Sequence, residues 1–418
     1  MGSVSYWQAE RDQVVGEPAS AGQLQGAAET DIAIIGAGIT GTSAALWLAR
    51  AGAQVAIVEA RAVAAGASGR NGGFLLGGTS ETYVDSIERY GHERSKRIWA
   101  FSQANNALAV EIIAALGASG WSCGYQRTGS LRIAASEEEF AEHHRSVALL
   151  AADGWHAELV ERAQLPACLQ SHYQGGIYYP EDGEIQPALL VTGLARLARD
   201  AGAVFYDHSP VSAIERTATG FIVQTPIGTL NARTLILAAN AWLPEVGKLL
   251  GADWLAQHIE PTRGQMLATA PVSERLFECP CYANEGYEYF RQLADGRLVI
   301  GGWRNTSFAT EYTSDETAGG VVQDQLERFL RETLRQPQAQ IERRWAGIMA
   351  FSSDGLPLIG NLPGVPGCYI AGGYTGHGNA YALLAARMIA GDITGRSQEY
   401  QEYANLFAPE RLLAQGEA

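Results

Sequence analysis

Gly36-Ala37-Gly38-Ile39-Thr40-Gly41 and Glu59 are the residues whose types and spacing point most directly to chemistry. Gly36 suits a tight turn, Gly38 leaves room for a pyrophosphate against the backbone, and Gly41 permits close packing of helix on strand. Ile39 and Thr40 then open a helix whose unpaired N–H groups carry a partial positive charge toward phosphate. Glu59, 21 residues beyond Gly38, is placed to accept hydrogen bonds from both hydroxyls of a ribose, with Ala60 and Arg61 beside it. Glycine supplies 48 of the 418 residues, so chance alone yields about 0.6 matches to G-x-G-x-x-G and the pattern by itself decides nothing. Its surroundings decide. An apolar run at 31–35, helical spacing over 42–51 and a second apolar run at 54–59 make a βαβ unit.

Two more glycine-rich stretches narrow the ligand. The first, 66–73, brings Ala67, Ser68, Arg70, Asn71, Gly72 and Gly73 as small residues and an arginine able to offer many backbone N–H groups to an extended cofactor. The second, 372–378, contains Gly373, Tyr374, Gly376, His377 and Gly378 and leads into a predicted helix over 380–390. That helix start is expected to set a positive end against an electron-rich ring, favouring its reduction. A nicotinamide dinucleotide needs no second glycine loop after the ribose carboxylate, so the three stretches together point to FAD. Ala239, closing an apolar strand at 234–239, joins the expected lining.

The elements that position these residues suggest an α/β fold. The expected organisation is a Rossmann-like FAD-binding domain (βαβ, mixed central sheet) with an inserted α+β substrate domain built on an antiparallel sheet. The expected divisions are an N-terminal arm at 1–29 and an FAD-binding domain from 30–80, 187–252 and 345–395. A substrate domain from 81–186 and 253–344 and a C-terminal tail at 396–418 complete the chain. The arm lacks periodicity and reads as lying on the surface, or as partly disordered, before the first strand. Within the substrate domain, 286–291 and 297–303 alternate as strands and 317–334 reads as an amphipathic helix. With 47% hydrophobic residues, 30 basic against 45 acidic residues and a net charge of −15, nucleic acid is an unfavourable partner. No apolar run reaches about 18 residues and the first residues are polar, so the expectation is a cytoplasmic protein with no membrane span. The five cysteines form no CxxC pair, and no metal is expected.

At these residues the chain resembles the D-amino-acid-oxidase-type superfamily of FAD-dependent amine and amino-acid oxidoreductases, which includes sarcosine and glycine oxidases. Within it, the chain is most similar to the gamma-glutamylputrescine-oxidase-like branch. The resemblance rests on an ordered series: IIGAGITG, GASGRNGG, RTGSL at 127–131, EIQP at 184–187, YFRQLADGRLVIGG at 289–302, RWAG at 344–347, DGLPLIG at 354–360 and GYTGHG at 373–378. It implies an antiparallel sheet roofing the flavin, substrate held between sheet and ring, and Val211 beside the adenine through its backbone.

The chemistry expected is oxidation of an amine C–N bond, with a hydride passing to flavin N5 and water hydrolysing the imine to an aldehyde or ketone. O2 or another acceptor would take the electrons, giving H2O2 in an oxidase. The candidate substrate-face residues are Tyr289 and Arg291, which share a strand face with Tyr287, together with Trp303, Trp345, Met349, Tyr374 and His377. Amino-acid oxidases of this superfamily carry a carboxylate-clamping arginine after the Trp-Ala-Gly, where this chain reads Trp345-Ala-Gly-Ile-Met349. A charge-assisted hydrogen bond contributes about 1.5–3 kcal/mol, so its loss disfavours α-amino acids at least about tenfold. Arg263, Arg291 or Arg304 could substitute. With lysine only at 96 and 248, positive charge near the ring would fall to His377 or an arginine, and no cysteine stands where a covalent flavin link would form. The cofactor is therefore expected to be FAD, non-covalent. The alternatives are an amino-acid or N-methyl-amino-acid oxidase or dehydrogenase, a flavin-binding structural or sensing protein, and a nicotinamide dehydrogenase. Oligomeric state is not legible.

Overall fold

The computed structural model describes residues 4–15 and 20–413. Residues 1–3 and 16–19 of the expected arm, and 414–418 of the expected tail, lie outside the described residues.

Two eight-stranded sheets carry the architecture. In the first, strand Gly26–Ile35 runs parallel between Val55–Val58 and Gly228–Leu237, with Val204–Tyr206 beyond one and Cys368–Gly372 beyond the other. Ile32, Ala33, Ile34 and Ile35 are all buried, because a parallel sheet is covered on both faces and its strands read as continuous apolar runs. Helices Ile39–Arg50, Pro187–Asp200 and Ala382–Ile393 cover one face. The other packs on Leu243, Leu255 and, from the second sheet, Ile348 and Ala350. Leu358–Asn361 and the hairpin Ala213–Thr217/Gly220–Gln224 join antiparallel, so the central sheet is mixed.

The second sheet follows the order Ile341–Ser352, Ile259–Thr269, Leu298–Gly302, Glu288–Gln292, Cys281–Ala283, Ser130–Ala134, Gly175–Tyr179, Glu158–Glu161. Every pairing is antiparallel except that between Cys281–Ala283 and Ser130–Ala134. One face buries Phe277, Phe290, Ile300 and Leu330 beneath the helix Gly320–Arg328, which continues as a π-turn to Thr333. The other face looks toward the first sheet.

Three expectations are corrected. The N-terminal segment is not a surface arm: Tyr6–Val15 is a helix, and Trp7 is 1% exposed. Its buried side chains are Trp7, Gln8 and Arg11, two of them polar, so hydrophobic periodicity could not reveal it. The strand that follows starts at Gly26, ahead of the apolar run. The boundary placed at 345 falls inside the twelve-residue strand Ile341–Ser352, which belongs wholly to the second sheet. In the C-terminal tail, Phe407 and Leu412 are buried and Arg411 pairs with Asp354 at 2.7 Å.

Candidate functional site

The three glycine-rich stretches meet around one cavity of about 1080 Å3. Side-chain hydrogen bonds tie each loop to the others. Ile39 N donates to Ser68 Oγ at 3.0 Å, the Thr40 and Tyr374 hydroxyls are bonded at 2.9 Å, and Asn379 Nδ2 donates to Phe74 O at 3.0 Å and Asn71 Oδ1 at 3.3 Å. The lining includes Gly36, Gly38, Ile39 and Thr40 of the first stretch, Ala67, Ser68, Arg70, Asn71 and Gly72 of the second, and Tyr374, Gly376, His377 and Gly378 of the third. Glu59, Ala60, Arg61, Val211 and Ala239 line the same cavity.

The residues at this end fit a dinucleotide. Gly36 has φ +107°, and a Cβ on Gly41 would stand 1.9 Å from Gly36 O, so the fold itself requires both glycines. Gly38 differs. Its φ is −77°, open to any residue, and a Cβ there would meet only the Ser68 side chain, at 3.0 Å from Oγ. Nothing in the protein demands glycine at 38, and the side it leaves bare is the cavity wall. The Glu59 carboxylate receives the N–H groups of Ala37 and Arg61, each at 2.8 Å, which fix its direction and leave further acceptor capacity. Burial pushes its pKa up, against the pull of those two N–H groups. Arg61 pairs with Glu316 at 2.8 Å and stacks over Trp242, so it closes this end from outside.

The opposite end is a chamber under the second sheet. Tyr289 faces it because its cross-strand neighbour is Gly301, whose missing side chain is the space the Tyr289 ring fills; a Cβ there would stand 2.2 Å from the ring. Met349 lies alongside, over Gly264. Tyr282, its hydroxyl pushed up to about 12 by burial, meets the His377 ring edge-on at 5.6 Å. Burial, then the charges of Arg132 and Arg304, push His377 down to about 4, so it is neutral near pH 7 and supplies no positive charge there. Arg132 is committed to the carbonyls of Ser80 and Glu81. Arg304 is held between the rings of Tyr287 and Phe351, at 4.4 and 4.5 Å, and among the described residues its guanidinium makes no hydrogen bond or ion pair.

Three of the predicted substrate-face residues lie outside this lining. Trp303 is buried against Phe329 at 4.7 Å: Gly302 and Trp303 have φ of +117° and +57°, and this left-handed step breaks the strand alternation, sending the indole into the core. Arg291 does share the Tyr289 face, but it lies past the cavity's edge and donates to Gly73 O at 2.8 Å and Ile185 O at 2.9 Å. Trp345 is fully buried and donates to Arg70 O at 2.9 Å. Gly41, Gly73 and Gly373 are packing positions rather than lining ones; Cβ atoms there would strike Gly36 O, Ile185 O and Ile259 respectively. The expected positive helix end is also altered. Asn105 Oδ1 accepts the N–H groups of Leu383 and Leu384, so the turn Gly378–Ala380, not the helix start, faces the cavity. Sequence reading missed Tyr282, Phe351, Trp242 and Glu316. For Phe351 the signal was present, since it alternates with Met349 along one strand.

Of the substitute arginines, Arg263 is bound to Glu311 at 2.8 Å and lies outside the lining. No helix among the described residues is long and apolar enough to cross a membrane. The chain is 29% identical over 396 residues to gamma-glutamylputrescine oxidoreductase of Escherichia coli strain K12, covering 90% of this chain and 86% of that one. It is 27% identical over 373 residues to a glycine oxidase of Geobacillus kaustophilus, covering 88% and 93%. The crystal structure of glycine oxidase from that organism superposes with a TM-score of 0.76 over 88% of this chain and 95% of the other, at 23% identity. The family model described as FAD dependent oxidoreductase matches residues 31–391, and with the cradle of Gly38 and Glu59 in view, the chain belongs to that family.

Proposed function

We propose that this chain oxidises the C–N bond of an amine, with non-covalently held FAD as the immediate acceptor and O2 as the final one, releasing an aldehyde or ketone and H2O2. The observation that carries the reading is the continuity of one cavity from Glu59 to Tyr289 and Met349, which sets a dinucleotide cradle and an aromatic chamber end to end. FAD, when bound, supplies a ring that accepts a hydride equivalent from the carbon beside nitrogen. The chain's own groups do the rest. Tyr282, Tyr289, Met349 and Phe351 withdraw the amine from water, which favours its neutral, reactive form. His377, itself neutral, adds no repulsion to an ammonium arriving from solvent.

A second reading, oxidation of an amino acid or N-methyl amino acid, is favoured by Arg304, whose uncommitted guanidinium beside the chamber suits a carboxylate. Its place between Tyr287 and Phe351, rather than at position 349, equally suits an amine of the leading reading that carries a carboxylate away from the reacting carbon. Anaerobic mixing of the flavin-loaded protein with putrescine derivatives, sarcosine, glycine and D-amino acids tests both readings. Bleaching by the amines first supports the leading reading, and bleaching by the α-amino acids first supports the second. A flavin reduced by dithionite but by no member of the panel would overturn both. Steady oxygen uptake without an added acceptor separates oxidase from dehydrogenase.

A further inference from the structure

We propose that the N-terminal helix Tyr6–Val15 is a positioning element for the cofactor, acting through the carbonyl side of the loop that follows Glu59. The helix and Ser5 just before it send side-chain donors to one carbonyl after another of that segment. Arg11 Nη1 donates to Val63 O at 3.0 Å, Gln8 Nε2 to Ala64 O at 3.0 Å and Ala65 O at 3.2 Å, Ser5 Oγ to Gly69 O at 2.6 Å, and Trp7 Nε1 to Asn71 O at 2.6 Å. Trp345 holds Arg70 O and Arg291 holds Gly73 O, and the Trp7 ring lies beneath the Arg291 guanidinium at 4.7 Å. Gln186 in turn donates to Trp7 O at 2.8 Å, fixing the helix from behind.

The consequence follows from the peptide unit. In a trans peptide the N–H points opposite to the C=O. With the Ala65 and Asn71 carbonyls drawn toward the helix, the N–H groups of Gly66 and Gly72 are turned the other way, toward the cavity that both residues line. The loop's own side chains help hold the Ala65 carbonyl, through Arg70 Nε at 2.8 Å, and the Ala67 and Ser68 carbonyls, through Asn71 Nδ2 at 3.1 and 3.2 Å, but the Asn71 carbonyl is held by Trp7. At Ala65 the helix shares this task with Arg70, and at Asn71 it sets the polarity from outside through Trp7, which combines a donor, a fully buried ring and the Arg291 contact.

The test reads flavin retention rather than turnover, and so rests on the FAD of the proposed function but not on its substrate. The dissociation constant for FAD is measured by fluorescence of released flavin for wild type, Trp7→Ala, Trp7→Phe and Gln8→Ala, beside melting curves of the loaded and cofactor-free forms. Trp7→Ala is expected to raise the constant at least about tenfold, and Trp7→Phe and Gln8→Ala about three- to tenfold. Trp7→Ala, which empties a buried indole site, is expected to lower the melting point of both forms but the loaded form further, whereas cofactor-free Gln8→Ala is expected to melt with the wild type and show its loss in the loaded form. An unchanged dissociation constant in Trp7→Ala, or equal lowering of both melting points with retention intact, would overturn the proposal. Should Trp7→Ala fail to fold, Gln8→Ala decides by the same criteria. A wild-type protein that holds FAD yet oxidises no amine would sink the preceding reading alone.

Discussion

The two ends of the cavity are built on opposite principles. At the Glu59 end, the lining is mostly backbone: glycines, peptide N–H groups and one carboxylate aimed by its neighbours, most of it from residues 36–73. At the Tyr289 end, the lining is made of side chains drawn from several strands and a post-strand turn of the second sheet. The first design tolerates little change, because a methyl group added at Gly41 would have nowhere to go. The second can alter one side chain at a time without disturbing the pairing of the strands that carry it.

The sharpest way to break this contrast is Gly38→Val. A Cβ there meets only the Ser68 side chain within the protein, at 3.0 Å from its Oγ, so the variant is expected to fold and to purify without visible flavin absorbance. A yellow Gly38→Val protein would remove the dinucleotide assignment. Gly41→Ala, by contrast, is expected to lower the melting temperature of the cofactor-free protein as well.

At the chamber end, Arg304→Ala is expected to lower kcat/KM about tenfold to a hundredfold for amines carrying a carboxylate, and by no more than about twofold for plain alkylamines. Steady-state kinetics on both classes checks it; an equal loss on both would make Arg304 a support for Tyr287 and Phe351 and nothing more. Trp303→Leu inverts the pattern. Being a core substitution, it is expected to cost about 1–3 kcal/mol of stability in denaturant unfolding while leaving the ranking of substrates unchanged.

The smallest effect concerns His377. Its folded pKa lies below the ordinary 6.5, so between pH 6.5 and about 4 the unfolded chain binds the proton first and stability falls as pH falls. At pH 6 this is less than about 1 kcal/mol. The stability slope between pH 6.5 and 5 is expected to flatten in His377→Asn, and kcat/KM of the wild type is expected to show no inflection from this imidazole near pH 6.5. An inflection lost in that variant would contradict its neutral state.

The same contrast explains what could be read from the residues alone. The dinucleotide end was legible because its geometry is local: a strand, a glycine turn and a helix within about thirty residues leave a mark on spacing. The antiparallel character of the second sheet followed from the alternation over 286–291 and 297–303, while the parallel core of the first followed from unbroken apolar runs around the glycine turn. Alternation also relates Tyr289 to Arg291 correctly, but it cannot say where along a strand a cavity ends, and Arg291 lies just past that point. It failed outright at Trp303, where a left-handed backbone step reverses the side-chain direction. The N-terminal helix escaped notice because its contacts are polar groups meeting backbone carbonyls, and a hydrophobic pattern carries no trace of such contacts.

That backbone reversal has an implication for how this enzyme's preference could drift. The chain leaves the strand with an indole tucked inward and a cation turned outward, in consecutive positions. Gain of one codon before Trp303 would carry the indole into the place the guanidinium now holds, replacing a charged wall by an apolar one in a single event. The charge of the outer chamber is thus as sensitive to reading-frame-preserving length changes at this turn as to substitution.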